Sequence, residues 1–218
     1  MIEAFAARWC SWLSRSQTDD HLFTKNSRLV KLCSMQTETL AQKLGTRALR
    51  SPLLLKAEEL GLHGPKSLMD EAVARGCFHY LQGRTPPQQQ VNLEAFSNAE
   101  LAIALLTAAN PYDPWLIRIG AMMLGAEDND PAEIARLAVV EDSEQVVRAI
   151  AEAGVRYEPE VAFWKTLLAL LPETLPPRSG VLPHHSRYVS TPGLTGPRTH
   201  GKAVWLRPAK LKAFGYAG

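Results

Sequence analysis

Long apolar runs are missing from this 218-residue chain. The best of them, residues 101–109, falls well short of the ~18–20 uninterrupted apolar residues that cross a bilayer, and helix-capping residues bracket it. Cysteine is scarce. Cys10, Cys33 and Cys77 cannot all pair within the chain, and their spacing meets no zinc pattern, so the expectation is a reducing, cytoplasmic protein without a disulfide framework. Net charge is only +2, which alone calls for no polyanionic partner. The N-terminus carries Glu3 and no apolar stretch of useful length, which argues against a secretory signal. Acidic residues almost vanish after position 172: Glu173 stands alone against Arg178, Arg187, Arg198, Lys202, Arg207, Lys210 and Lys212, a local net of +6 that leaves −4 for residues 1–172.

What is present in quantity is helix punctuation. Ser97 with Glu100 three residues on forms a capping box, in which the hydroxyl accepts from the amide of Glu100 and the carboxylate accepts from the amide of Ser97. Asp113-Pro114 and Asp130-Pro131 each set a carboxylate N-cap before a proline at the first helical position, where a missing N–H costs nothing. Glu158-Pro159 is a weaker version. Gly125 and Gly154 stand where helices are expected to stop. Upstream, residues 37–49 place Leu40, Leu44 and Ala48 on one face, Ser51-Pro52 opens a segment running to Gly61, and Ser67 with Asp70 opens another that ends at Gly76. The run from Cys77 to Leu81 fits a helical extension or a short strand. The clearest internal loop spans residues 82–92, with Pro86-Pro87 and three consecutive glutamines.

Burial pattern sorts these helices. Residues 99–109 and 115–124, from Leu101 through Trp115 to Leu124, are apolar on nearly every face and are expected to form the core; Trp115→Ala there would cost about 3–5 kcal/mol. Residues 131–140 and 144–153 carry one apolar stripe each, Ile134, Leu137 and Ala138, then Val146, Val147, Ile150 and Ala151, and are expected on the outside. Helix starts recur every 15–16 residues, close to what an average helix of ~11–12 residues and a short connection produce, and no repeat consensus accompanies them. The fold class expected is all-α, an irregular multi-helix bundle or short helical-repeat-like superhelix, with a Pro/Gly-rich basic C-terminal arm. Three zones follow: an N-terminal extension or leader over 1–34, with Met35 as an alternative start; a helical domain over 35–172; and the irregular arm over 173–218.

Several motifs fall short of chemistry. Gly196, Gly201 and Lys202 have phosphate-loop spacing, but Ala203 replaces the Mg²⁺-ligating hydroxyl and residues 203–206 have strand character. Residues 40–62 imitate a helix-turn-helix, yet Leu53, Leu54 and Leu55 on the second helix suit burial and not base edges. Glu127, Asp128 and Asp130 lack the glycine and the further acid of a calcium loop. His184, His185 and His200 have no carboxylate near them in sequence and meet no ligand spacing. No catalytic, cofactor-binding or metal residues are assigned, and no cofactor is expected. Tyr188, Trp205, Phe214 and Tyr216 interleave with basic residues, a mixture that stacks bases in single-strand binders; the expectation here is that these aromatics pin the arm onto its own helical body or onto a protein partner. The leading expectation is a non-enzymatic helical interaction module, in which the helical body is a scaffold and the basic arm docks to a protein partner or a second copy of the chain. The alternative is RNA binding through the arm. In either case the candidate contacts are Arg187, Tyr188, Arg198, Lys202, Trp205, Arg207 and Lys210. Small-molecule ligands are left open.

Overall fold

A computed structural model describes residues 38–46, 51–81, 85, 87–190 and 203–209. All of them belong to one compact unit, Thr37–Gly218. The expectations for residues 1–34 lie outside the described residues.

The described chain is an all-α multi-helix fold with one two-residue hairpin. Helix α1 (Leu40–Leu44) opens with a capping box between Thr39 and Gln42 and closes at Gly45, whose φ of 74° only glycine adopts without strain. It is shorter than the 37–49 pattern. Helix α2 (Pro52–Glu59) is capped by Ser51, and Glu141 reaches across to accept from the Leu53 amide at 2.8 Å. Only one face of α2 is interior: Leu53 is buried, Leu54 half-buried and Leu55 exposed.

Helix α3 (Gly64–Ala74) starts one turn before the expected Ser67. Pro65 supplies the start signal, while Ser67 donates to the His63 carbonyl and Asp70 pairs with Lys66, so both residues serve the helix from inside. Residues Phe78–Tyr80 form a 3₁₀ turn. The proline-rich loop is then fastened by a buried ion pair: Arg75 bridges Glu71 to the carbonyls of Val91 and Phe96, and Glu71 accepts from the Gln90 amide.

Helices α4 (Asn98–Leu106), α5 (Pro114–Leu124) and α6 (Pro131–Val140) begin at the capping box and the two Asp-Pro caps, as the residues predict. Helix α7 (Glu144–Tyr157) continues past Gly154, and α8 (Ala162–Leu170) begins after, not at, Glu158-Pro159. Gly125 does follow α5, but with φ −82° it takes no left-handed cap. Both glycines have another purpose, set out below.

One device closes successive helices. Asn110 donates to the carbonyls of Ala104 and Leu105 at 2.7 and 3.3 Å, and Asn129 repeats this at Met123 and Leu124 with 2.8 and 3.1 Å. Ser143 donates to Ala138, and Thr46 to Ala41, across the same five-residue interval. Carbonyls left without a partner at each helix end are thus satisfied while the chain turns into its next element.

Helices α4 and α5 carry most of the core, with every residue of α5 from Ile119 to Leu124 buried. Helix α4 packs on α2, α3, α5 and α6, while α8 packs on α6 and α7. The stripes of α6 and α7 face inward as expected, with Arg136 and Glu152 outside. Trp115 corrects the expectation for α5: it is 42% exposed. It lies at the second residue of the helix, before the fully buried turns begin, and its amide is tied to the Asp113 cap.

Candidate functional site

The basic arm enters the core at Val181, Tyr188, Trp205 and Leu206. A 3₁₀ turn (His185–Tyr188) leads into β1 (Val189–Ser190), which pairs antiparallel with β2 (Val204–Trp205), Val189 opposite Trp205. The strand character of residues 203–206 is realised here. Trp205 is 0% exposed, with its ring 4.8 Å from that of Trp164 and 5.7 Å from that of Tyr188. Trp164 is equally buried and packs edge-on to Phe163.

Glycine makes room for these rings. A Cβ on Gly154 would lie 2.2 Å from Trp164 Cδ2, and one on Gly125 would lie 3.1 Å from Trp205 Nε1 and from Arg207 Cγ. Gly76 meets Pro208 at 3.0 Å in the same sense and has φ +119° besides. Two of the expected helix-stop glycines, Gly76 and Gly125, therefore line the seat of the arm, and Gly154 seats the Trp164 ring on which Trp205 packs.

Charge completes the anchor. A single oxygen of Glu158, Oε2, accepts from Trp164 Nε1 at 2.9 Å and from Arg207 Nε and Nη2 at 3.0 and 2.6 Å. Both partners are shielded, Arg207 at 12% and Glu158 at 1% side-chain exposure. A buried carboxylate of this kind requires such donors, since an uncompensated buried charge is costly.

Of the residues singled out from sequence, Tyr188, Trp205 and Arg207 are thus gathered at one place, inside the protein. Tyr188 and Trp205 have no ring face for a base, a correction to their reading as contacts. Arg187 is exposed on the 3₁₀ turn. Arg198, Lys202 and Lys210 lie outside the described residues, as does His200. Glu158, Gly154 and Trp164 were missed as site residues, although a glycine inside a strongly amphipathic helix signals a close approach by another group.

Of the two described arm histidines, His185 meets α7, and His184 pairs with Ser186 and the His185 ring. Arg156 Nη1 lies 3.3 Å from His185 Nε2, and Tyr157 Oη lies 2.6 Å from His185 Nδ1. Arginine can only donate, so Nε2 accepts and the ring proton sits on Nδ1, facing the phenol oxygen. The His184 ring stacks 3.9 Å away. Partial burial first, then His184 and Arg156, hold the His185 pKa below its ordinary value.

A second cluster lies at the start of α5. Trp115 packs edge-on against Tyr80 at 5.3 Å, and Tyr80 against His79 at the same separation. One turn after Trp115, Arg118 makes no hydrogen bond or ion pair with any described residue, and its Nε is buried without a partner. The Tyr188 hydroxyl, on the 3₁₀ turn that packs against α5, is a second buried orphan. Burial pushes the Tyr80 and Tyr188 phenols up, with the Arg118 cation acting against it in both. Leaving such a donor unsatisfied costs about 1–3 kcal/mol.

Elsewhere, an open cleft of about 330 Å³ is lined by Phe78, Asn98, Asp128 and Pro208 among others. Its main polar contact is internal, Asn98 Nδ2 donating to both oxygens of Asp128. Among the described residues no three His, Cys, Asp or Glu side chains gather as a metal site requires, and no helix is long and apolar enough to cross a membrane. Comparison with protein-family models, with curated proteins and with solved structures finds no match to this chain.

Proposed function

We propose that the protein is a non-enzymatic helical interaction module of the cytoplasm. Its partner docks on the helical body at the start of α5, and the basic arm serves chiefly to complete that body. The observation that carries this reading is Trp115: a tryptophan 42% exposed, backed by Tyr80, on a helix that is otherwise core. Tryptophan, tyrosine and arginine are the residue types in which binding energy concentrates at interfaces. The buried Cys77 thiol, its pKa pushed up by desolvation, suits a reducing compartment in which it stays inert.

Photo-crosslinking tests this. A benzophenone amino acid at position 115 is expected to give a discrete protein adduct in cells, while the same group at position 175, where Leu175 is also exposed, gives none. Adducts at both positions alike, or at neither, would count against the reading. The RNA alternative loses the stacking faces of Tyr188 and Trp205 and retains the exposed Arg187 together with Arg198, Lys202 and Lys210. It requires a labelled single strand to bind at micromolar protein in low salt, with a log–log salt slope near −3 to −4 for four to six phosphate contacts.

A further inference from the structure

The geometry points to an acidic peptide segment as the partner of the Trp115 surface, with Arg118 receiving its carboxylate. This rests on the interaction reading above and gives it a chemistry. Trp115 and Arg118 are three residues apart on α5 and therefore share a face. Tyr80 packs against that tryptophan, and His79 extends the row of rings. The surface offers an aromatic platform for an apolar side chain and, one turn along, a guanidinium with no hydrogen bond or ion pair to any described residue.

A guanidinium left in that state is complementary to a carboxylate, which takes the two terminal Nη groups side by side, while the buried Nε stays beneath them. Phosphate shares this geometry. Nucleic acid, however, draws its affinity from many neutralised phosphates, and among the described residues Arg118 is the one arginine in this row of aromatic side chains. An isolated cation framed by aromatic rings suits a peptide carrying Asp or Glu beside an apolar residue.

Full-length ¹⁵N-labelled protein provides the test through the Arg118 Nε–H and Trp115 indole N–H resonances. Acetyl-ALDELA-amide is titrated against acetyl-ALNQLA-amide and against inorganic phosphate. The acidic peptide is expected to move both resonances and to bind about tenfold more tightly than its amide counterpart, the discrimination one charge-assisted hydrogen bond provides. Arg118→Gln should abolish that preference, Arg118→Lys should keep part of it, and Trp115→Ala should weaken both peptides; the unfolding midpoint of each variant verifies its fold. Equal binding of the two peptides, no response to either, or phosphate as effective as the acidic peptide would overturn the inference. Crosslinks at position 115 that persist in Arg118→Gln would leave the interaction reading standing and remove this chemistry from it.

Discussion

At Gly154 two effects of opposite sign meet. Alanine is the better helix former by about 1 kcal/mol, so in an isolated helix Gly154→Ala would stabilise. Here its Cβ would fall 2.2 Å from the Trp164 ring, itself fully buried against Trp205 and Phe163, with nowhere to move. Overpacking of this kind costs about 1–3 kcal/mol or more, and it wins. Chemical denaturation of Gly154→Ala should show a net loss; a gain would mean the Trp164 seat is loose. Trp115 gives the converse case. With 42% of its surface exposed and one edge-on aromatic neighbour, Trp115→Ala should cost about 1 kcal/mol, not the value proper to a core tryptophan. Differential scanning calorimetry separates the two magnitudes. Residue chemistry was legible where it is local: Ser97, Asp113 and Asp130 cap helices because the groups they serve lie two or three residues away. Gly154 and Trp115 were misread because what decides them, Trp164 in one case and the lack of a covering element in the other, is not encoded nearby.

Elements were legible to the same rule. The capped starts of α4, α5 and α6 follow from sequence, whereas α3 begins a turn early because Pro65 outweighs the Ser67–Asp70 pattern. The closing side chains Asn110, Asn129 and Ser143 went unread, since an asparagine five residues past a carbonyl looks like any loop residue until the turn is formed. The 3₁₀ turn at the start of the arm offers a pH test. His185 accepts from Arg156 only when neutral, and protonation would set a second positive charge beside Arg156. Its folded pKa lies below the ordinary value near 6.5, so its contribution is complete above that pH and is lost as pH falls through it toward the folded value. Thermal midpoints of the natural protein and His185→Ala should therefore differ most above pH 7 and converge toward pH 5. Burial lowers the His79 pKa as well, but that contribution is common to both proteins and cancels in the comparison. A difference independent of pH would place His185 outside this contact.

For the molecule as a whole, the charge asymmetry that sets the C-terminal arm apart in sequence is a poor guide to its place in the fold. Arg207 pairs with Glu158, Trp205 and Tyr188 join the core, and Gly76 and Gly125 shape the seat that receives the arm. Sequence favours an arm pinned by its aromatic residues over one offered to RNA, but does not choose between its own body and a protein partner as the anchor, because the same aromatic and basic residues serve both. The unfolding free energy of Trp205→Ala decides it most directly. An arm that completes the core predicts a loss of about 3–5 kcal/mol, as for other fully buried tryptophans. A loss below about 1 kcal/mol, accompanied by weakened binding of single-stranded RNA, would contradict the account.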